Sequence, residues 1–437
     1  MPSRITLAGV ALLLAQPLFL HASPAGQTDN TAASVRLPAY GSDANASVLT
    51  LEQAVAMALA TSPQLRASAQ DIAIAEGARL QAGTMPNPTL SYDREGIQRG
   101  NRTQTTLFSQ PIELGGKRAA RIALAEQDQT LARIRLDVDR AELRADVVDA
   151  YLNALTAQER RDLVEQSVQV ADKAASAAAR RVAAGKISPV EETRSSVAAA
   201  TAKLELAQAS TALALARRHL AALWGSTDTL RRPLVTPDMH LSDIPPLERL
   251  QDRLQASPQM RRARTQVTRE QAQVRLERAQ RIPDVTLTVG RQKEDQAARS
   301  LTVVGISVPL PLFDRNQGNL LSAMRRADKA QAELDVERVR LTQALADAHH
   351  RAVLAQQQLT TLKVEILPAA QGAFDAAVTG FELGKFSFLD VLDAQRTLFQ
   401  AREQYLGALA ERYRSVADLQ RQTAIDDGEP DTNRITP

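Results

Sequence analysis

Residues Lys117 to Ala184 contain neither proline nor glycine, and this stretch constrains the fold more than any other part of the chain. As one helix it would be about 100 Å long, since an α-helix rises ~1.5 Å per residue. A compact domain does not hold such a helix, because helices in globular proteins average about 12 residues. Aromatic residues make up only 3% of the chain, so a thick core is not expected. The abundant alanine instead favours long helices that pack closely.

The sequence contains one internal duplication. Three landmarks recur in the same order: SPQL at 62–65 as SPQM at 257–260, Pro88 as Pro283, and GKIS at 185–188 as GKFS at 384–387. Because the separation is nearly the same for all three, we predict two copies of a unit of about 200 residues. Units of this length are too long and too few for a solenoid.

The repeat boundaries divide the chain into six segments. They are a signal peptide (1–22), a flexible segment (23–47), the first repeat (48–224), a linker rich in Pro, Asp, Ser and Thr (225–246), the second repeat (247–423) and a flexible tail (424–437).

Each repeat is predicted to contain two short helices, two strands and a helical hairpin. The strands are predicted at 89–95 and 103–110 in the first repeat, and at 284–292 and 300–308 in the second. In the second repeat, apolar side chains alternate with threonine, glycine and serine, which is typical of strands with two unlike faces. The strands of the first repeat are more polar and less clearly patterned.

Each hairpin is predicted to turn at a short tip, at 185–188 in the first repeat and at 384–387 in the second. The glycine that opens each tip suits the left-handed position after a helix. The serine that closes each tip is followed three residues later by Glu191 or Asp390. This spacing predicts a capping box at the start of both returning helices.

The long helix of the second repeat is predicted from about Asn319 to Leu383, with a kink or break at Pro368 and Gly372. Apolar residues at steps of three and four predict a coiled-coil-like seam along it. The predicted seam consists of Leu320, Met324, Ala327, Leu334, Leu341, Leu345, Ala348 and Ala352.

The N-terminus has the features of an export signal. Arg4 precedes an apolar run, Ile5–Leu20, and small residues follow at 22–25. The run is interrupted by Gln-Pro and is shorter than the ~20 residues of a membrane-spanning helix. The chain has no cysteine, which excludes disulfides, thiolate metal sites and lipid attachment through cysteine, so a lipoprotein is not predicted.

Charge and motif content argue against several functional classes. The chain has 53 Lys and Arg against 50 Asp and Glu, a balance that does not favour nucleic acid as a partner. There is no cysteine nucleophile and no phosphate-binding loop, so neither an enzyme nor a cofactor is predicted. Adjacent positions on a helix point about 100° apart, so His349 and His350 cannot chelate one ion, and no metal site is predicted.

The four strands impose a condition on assembly. An open sheet edge is not tolerated in lipid, and four strands cannot close a barrel. Several chains must therefore pool their strands, and three copies would supply twelve, an even number within the range of known barrels.

Several motifs, in a fixed order, carry a resemblance to a known family. They are SPQL at 62–65, Asn87-Pro88, SQPIELGGKR at 109–118, VPLPLF at 308–313 and LGKFSFLDVLDA at 383–394. Together they resemble the TolC-type outer-membrane efflux channels, and IELGGKR is most similar to the cobalt–zinc–cadmium (CzcC-like) branch. The resemblance covers about residues 48–423.

This resemblance implies a mainly α fold with a small β part. A trimeric outer-membrane β-barrel, with four strands per chain, would continue into a long periplasmic α-helical coiled-coil barrel. The implied function is that of an outer-membrane channel subunit of a tripartite efflux system, carrying heavy-metal cations outward. The implied partners are a homotrimer, a periplasmic adaptor (membrane fusion protein), an inner-membrane RND pump and outer-membrane lipid.

The resemblance also assigns roles to the hairpin tips. Gly185, Lys186, Gly384 and Lys385 are expected to dock the adaptor. Asp390 and Asp393, three positions apart on one helix face, are expected to form carboxylate rings at the periplasmic aperture, and such rings favour cations. The residues alone allow a simpler interpretation, in which both acids only stabilise a helix N-terminus by about 0.3–1 kcal/mol each.

The latch of this family is altered in the present chain. Phe386 stands where the family has an arginine, and Phe381 stands where a tyrosine is expected, so its hydroxyl bond is lost. A contact between Lys385 and Glu191 is the substitute we consider for the gate.

Two other functions stay open at this point. One is an outer-membrane channel for organic drugs or for type I protein secretion, which would have the same acidic tip. The other, from a different class, is a periplasmic coiled-coil adaptor or scaffold protein, which would have no membrane-embedded strands.

Overall fold

The computed structural model describes residues 48–96, 102–227, 230–237, 244–294, 299–383 and 385–423. The predicted signal peptide, the segment before residue 48, the tail and parts of the linker lie outside these ranges. The first repeat consists of α1 (Leu51–Thr61), α2 (Pro63–Ala82), β1 (Thr89–Glu95), β2 (Thr103–Ile112), α3 (Lys117–Ala183) and α4 (Pro189–Ala222).

The second repeat has the same order of elements. It consists of α5 (Leu247–Leu254), α6 (Pro258–Gln280), β3 (Val285–Glu294), β4 (Arg299–Ser307), α7 (Gln317–Thr361), a π-helical turn (Leu362–Ile366), α8 (Leu367–Glu382) and α9 (Phe388–Thr423). None of the helices in the described residues combines the length and the apolar character needed to cross a membrane.

The four strands form one antiparallel sheet in the order β1-β2-β3-β4. Every connection to a helix leaves from one end of this sheet, and the β1–β2 and β3–β4 connections lie at the other end, called here the loop end. The observed strand bounds differ from the predicted ones by at most two residues. Two strands end two residues later than predicted: β3 ends at Glu294, and β2 continues through Pro111 to Ile112, because both residues still pair with β3.

The sheet has one apolar and one polar face. Leu90, Phe108, Val289 and Val304 pair across all four strands in one row, and each is exposed by 46% or more. We call their side the apolar face. Side chains of neighbouring positions point to the opposite side. There the adjacent row toward the helices contains only threonine, serine and glycine, and the adjacent row toward the loop end combines Ser91 and Gly290 with Leu107 and Val303. We call that side the polar face.

The helix α3 is continuous over 67 residues and packs along α4 to form the first hairpin. Alanine dominates the contact near its tip, where Ala171, Ala199 and Ala202 form a buried cluster. Alanine lets two helix axes approach closely, so this hairpin is slender along its length.

The second hairpin is interrupted, but earlier than Pro368 and Gly372 suggest. The interruption is the π-helical turn at Leu362–Ile366, and both of those residues lie inside α8. Proline has no amide hydrogen, so Pro368 cannot donate to the carbonyl of Val364, and the preceding turn widens to accommodate this. Gly372 stays helical because a lone glycine weakens a helix without breaking it.

The predicted seam of α7 is wrong at Met324. The predicted positions from Leu334 onward are buried, and Leu320 and Ala327 are partly buried. Upstream, Ala323 and Ala330 are buried, whereas Met324 is 46% exposed. The bulkier methionine fitted the sequence pattern, but smaller alanine side chains allow the closer approach of α6.

The largest core cluster surrounds Tyr151 of α3, which is fully buried. Its hydroxyl oxygen lies 2.8 Å from the carbonyl oxygen of Leu49 and 2.7 Å from that of Val235, so its proton can be donated to either. The same oxygen accepts the Val235 amide at 3.1 Å. Burial raises the pKa of Tyr151 to about 12. The hydroxyl therefore ties the segment before α1 and the linker to the same point on the long helix.

A two-glycine elbow joins β2 to α3. Gly115 and Gly116 both have positive φ, +70° and +73°. Only the first is also crowded, because a Cβ on Gly115 would lie 2.8 Å from Ile282, whereas a Cβ on Gly116 would meet nothing within 4 Å. The IELGGKR motif thus has a steric explanation at its first glycine.

Charged groups fix the elbow from both sides. Lys117 Nζ lies 2.7 Å from Asp284 Oδ1, which also accepts the amide of Leu114 at 3.2 Å. Arg121 binds both carboxylate oxygens of Glu113, and this hydrogen bonding lowers the pKa of Glu113. The elbow therefore connects the first repeat to the start of β3 in the second.

We predict that Gly115→Ala destabilises the protein more than Gly116→Ala. Both replacements strain the left-handed backbone by about 1 kcal/mol, and the first adds a clash with Ile282 that brings its total to about 3 kcal/mol. Thermal unfolding of the detergent-purified protein, followed by circular dichroism, measures the difference. Equal melting temperatures for the two variants would contradict the steric account.

Candidate functional site

The tip of the first hairpin closes by a standard helix-ending geometry. Gly185 has φ +67°, its amide donates to Val182 O at 2.8 Å, and the Lys186 amide donates to Arg181 O at 2.9 Å. This pair of hydrogen bonds is the Schellman arrangement. A Cβ on Gly185 would meet nothing within 4 Å, so the glycine is needed for its backbone angle alone, and Lys186 is exposed beside it.

The capping box predicted at the start of α4 is wrong. Ser188 Oγ accepts from the amide of Val190 at 3.3 Å, one residue earlier than a capping box requires. The carboxylate of Glu191 instead accepts from Arg194 at 3.1 Å, one turn further along the same helix. A charged partner at i+3 outcompetes the backbone amide for this exposed acid.

The tip of the second hairpin is built on Gly380. Its carbonyl accepts the amides of Lys385 and Phe386 at 2.8 and 3.2 Å. The ring of Phe386 folds back onto Gly380 so closely that a Cβ there would overlap it. Gly384, expected to make the reversal, lies outside the described residues. Sequence reasoning missed Gly380, although a second glycine four residues before the predicted tip was the available signal.

The second capping box forms as predicted. Ser387 Oγ accepts the amide of Asp390 at 3.3 Å, and Asp390 Oδ2 accepts the Ser387 amide at 2.8 Å. The Ser387 hydroxyl donates to the same carboxylate at 2.8 Å. These hydrogen bonds from Ser387 lower the pKa of Asp390, so its carboxylate is charged at neutral pH. The cap stabilises the helix above the usual pKa of aspartate and is lost as the pH falls through the lowered pKa.

The other acid of this helix is in a different situation. Asp393 is exposed one turn after Asp390, and among the described residues its carboxylate has no hydrogen-bond or ion-pair partner. The two acids share one helix face, as their spacing predicts. Within the chain, Lys385 is exposed at the tip, and Glu191 pairs with Arg194 rather than with it.

An unpredicted contact connects the two hairpins. The guanidinium carbon of Arg181, in the last turn of α3, lies 5.6 Å from the centre of the Phe381 ring in the last turn of α8. Phenylalanine cannot make the hydrogen bond of a tyrosine, but its ring face attracts a cation, worth about 0.5–1 kcal/mol at an exposed site. No sequence signal indicated this pair, because it depends on how the two hairpins pack.

The described residues contain no group of three or more His, Asp or Glu side chains placed to hold a metal ion. The rings of His349 and His350 meet edge to face, with centres 6.0 Å apart. His349 Nε2 lies 3.2 Å from the carbonyl oxygen of Pro245, so this ring has a structural contact between α7 and the linker.

Two matches, one per repeat, relate the chain to known proteins. The outer membrane efflux protein family matches residues 54–226 and 250–424. The chain belongs to the outer membrane efflux protein family. This membership confirms the TolC-type resemblance and decides against the periplasmic adaptor or scaffold. Members of this efflux family form trimeric outer-membrane channels that act with an adaptor and an inner-membrane pump.

Two metal-resistance proteins are similar over most of the chain. The cobalt-zinc-cadmium resistance protein CzcC of Cupriavidus metallidurans is 43% identical over 94% of this chain and 97% of its own length. The nickel-cobalt-cadmium resistance protein NccC of Alcaligenes xylosoxydans xylosoxydans is 29% identical over 71% of this chain and 70% of its own.

A solved structure shows the same fold. The outer membrane protein VceC of Vibrio cholerae superimposes with a TM-score of 0.70, at 21% identity, over 85% of this chain and 95% of its own. The predicted fold class, mainly helical with a small four-stranded antiparallel sheet, is confirmed, and so is its placement in the outer membrane with a large periplasmic part.

We predict that Gly380→Ala loosens the second tip. The new methyl group would displace the Phe386 ring and weaken the two hydrogen bonds to the Gly380 carbonyl, so the Lys385 and Phe386 amides should exchange their hydrogens at least about tenfold faster. Hydrogen exchange read by mass spectrometry measures this.

Gly372→Ala is the matched control, because it lies in the same helix and a Cβ there would meet nothing within 4 Å. This variant should leave the tip amides unchanged. Equal exchange in both variants would show that the ring does not hold the tip.

Proposed function

We propose that this chain is the outer-membrane duct of a tripartite efflux system that exports heavy-metal cations. The observation that carries the proposal is the 43% identity to CzcC, which extends over 94% of this chain and 97% of that protein. Such similarity over nearly the full length of both chains is best explained by a shared cargo class. The chain has no metal site of its own in this proposal, and the inner-membrane pump selects the metal.

A homotrimer is supported by the surfaces that one chain leaves uncovered. The strands β1 and β4 are the outer strands of the sheet, and the apolar face is exposed. On α4, Val190, Val197 and Leu204 recur every seven residues and are 55%, 60% and 61% exposed. Three copies would close the twelve strands in lipid and would bury these valine and leucine side chains between helices.

The hairpin tips are the proposed contact with the periplasmic adaptor. Lys186 is exposed beside the reversal at Gly185, and Lys385 is exposed at the second tip; both lie at the end of the helices furthest from the sheet. Gly384, outside the described residues, stays part of the proposed contact. The tips combine exposed charge with the exposed apolar side chain of Phe386, a composition suited to docking a protein partner.

At the aperture, the two acids are proposed to differ in role. Asp390 is engaged by its cap, so it fixes the start of α9 as well as carrying charge. Asp393 has no such engagement and is the better candidate for contact with a passing cation. Glu191 and Lys385 complete the proposed gate as charged groups of neighbouring tips, with Glu191 held by Arg194 within the chain.

The cargo is tested by complementation. A Cupriavidus metallidurans strain lacking CzcC should regain growth in cobalt, zinc or cadmium when it expresses this chain, and accumulation in the outer-membrane fraction is checked in the same cells. A chain that accumulates there and restores resistance to none of the three metals contradicts the metal proposal. Export of an organic dye by such cells would favour an organic cargo instead.

We predict that Asp393→Asn reduces cation preference in planar bilayers. The change removes one carboxylate per chain, three per trimer, from a narrow and poorly screened aperture, so the reversal potential in a salt gradient should move toward zero.

The control is Asp375→Asn on α8, which lies further from the tip. The Asp375 carboxylate accepts a hydrogen bond from the Gln371 side chain at 2.9 Å. It removes the same charge and should change the reversal potential less. Identical reversal potentials for wild type and Asp393→Asn would contradict the proposed role in the aperture and would leave helix stabilisation as the role of the acids.

A further inference from the structure

The apolar face of the sheet changes character toward its loop end. From the row that contains Val289 toward the loop end, the apolar face of β3 carries Arg291 and then Lys293. The apolar face of β1 carries Tyr92 and then Arg94. All four of these side chains are exposed. Register places them together, since both Arg94 and Lys293 pair with Gln104 of β2 between them.

Acidic side chains occupy the other face at the same level. Asp93 and Glu95 of β1 and Glu294 of β3 all belong to the polar face, because side chains alternate along a strand. Glu294 pairs there with Arg299 at 3.5 Å. Charge is thus sorted by face at the loop end, with cations on the apolar side and mostly anions on the polar side.

The three cations of the apolar face lack acidic partners within the part of the chain that the structure describes. Arg291 contacts a hydroxyl, Ser300 Oγ, and neither Arg94 nor Lys293 takes part in an ion pair there. A cation beside an apolar band is costly unless an anion compensates it, and the cost falls toward the edge of a bilayer. The surface is therefore complementary to negative charge at the edge of the membrane.

We propose that Arg94, Arg291 and Lys293 bind phosphate-bearing lipid headgroups of the outer leaflet. The proposal rests on the outer-membrane placement of the sheet. The helices lie on the periplasmic side and leave from one end, so the loop end faces the outer leaflet. Tyr92, one row below Arg94, has the position and amphipathic character of an interfacial aromatic residue. Arginine and lysine donate charge-assisted hydrogen bonds to phosphate oxygens, and the apolar rows below would lie against the acyl chains.

The test compares lipid binding by the purified full-length protein in detergent. Diphosphoryl lipid A is titrated and bound copies are counted by native mass spectrometry, with monophosphoryl lipid A as the second probe. The variant R94Q/R291Q/K293Q should bind the diphosphoryl lipid more weakly, by about fivefold for each charge removed. The difference between the two lipids should shrink in this variant. Inorganic phosphate at the same ionic strength as the chloride buffer should not displace the lipid, since it lacks acyl chains.

Two further variants make the result specific. R94K/R291K keeps the charges and should keep most of the binding. R325Q/R326Q/K329Q removes the same charge from α7, where Arg325 and Lys329 pair with acids of their own helix, and it should bind as the wild type does.

Wild-type affinity in R94Q/R291Q/K293Q, with the protein shown to be folded by circular dichroism, would overturn the proposal. Equal losses in the α7 variant would also overturn it, because they would indicate a general effect of net charge. Failure of the wild-type chain to restore metal resistance, with lipid binding as predicted, would instead count against the proposed cargo, so the two failures are distinguishable.

Discussion

Close contact between small side chains along very long helices is the interaction on which this structure depends. An alanine methyl group buries little apolar surface, so each contact between α3 and α4 contributes little at about 25 cal/mol per Å². Stability must then accumulate over many turns, which explains why α3 extends for 67 residues. The same slenderness leaves the outer side of each hairpin without a core to cover it. Assembly with other copies is the physical consequence, and it matches the trimeric channels of the family.

Specific polar contacts are concentrated where the chain changes direction. Exposed ion pairs along the helices, such as Arg325 with Asp328, contribute about 0–1 kcal/mol each. At the elbow, by contrast, the paired side chains of Lys117 and Glu113 are mostly buried. At the second tip, Asp390 makes three hydrogen bonds with Ser387, accepting two at its carboxylate and donating one from its amide. Helix packing therefore sets the length of the molecule, and these polar contacts set where it bends.

The architecture could be predicted from the sequence because its signals are local and repeated. Proline, glycine and serine at matching positions of both repeats indicated the strands and hairpins, and three-to-four spacing indicated the seam of α7 at every position but Met324. The failures concern choices between competing partners. The pairing of Glu191 with Arg194 and the contact of Arg181 with Phe381 depend on side-chain geometry and on the packing of hairpins distant in sequence. No pattern within one segment contains that information.

The π-helical turn gives the second hairpin a different kind of contact from the first. The buried positions of α7 advance by steps of three and four up to Leu362, and the next inward-facing position is Leu367, a step of five. Without the extra residue, the inward positions beyond the turn would be filled mainly by alanine. With it, Leu367 and Phe374 pack against Leu398 of α9. Two hairpins built from one duplicated plan thus differ in the size of the side chains packed near their tips. Since larger side chains hold helices further apart, we expect a ring that alternates the two hairpins to have two unequal spacings around its circumference.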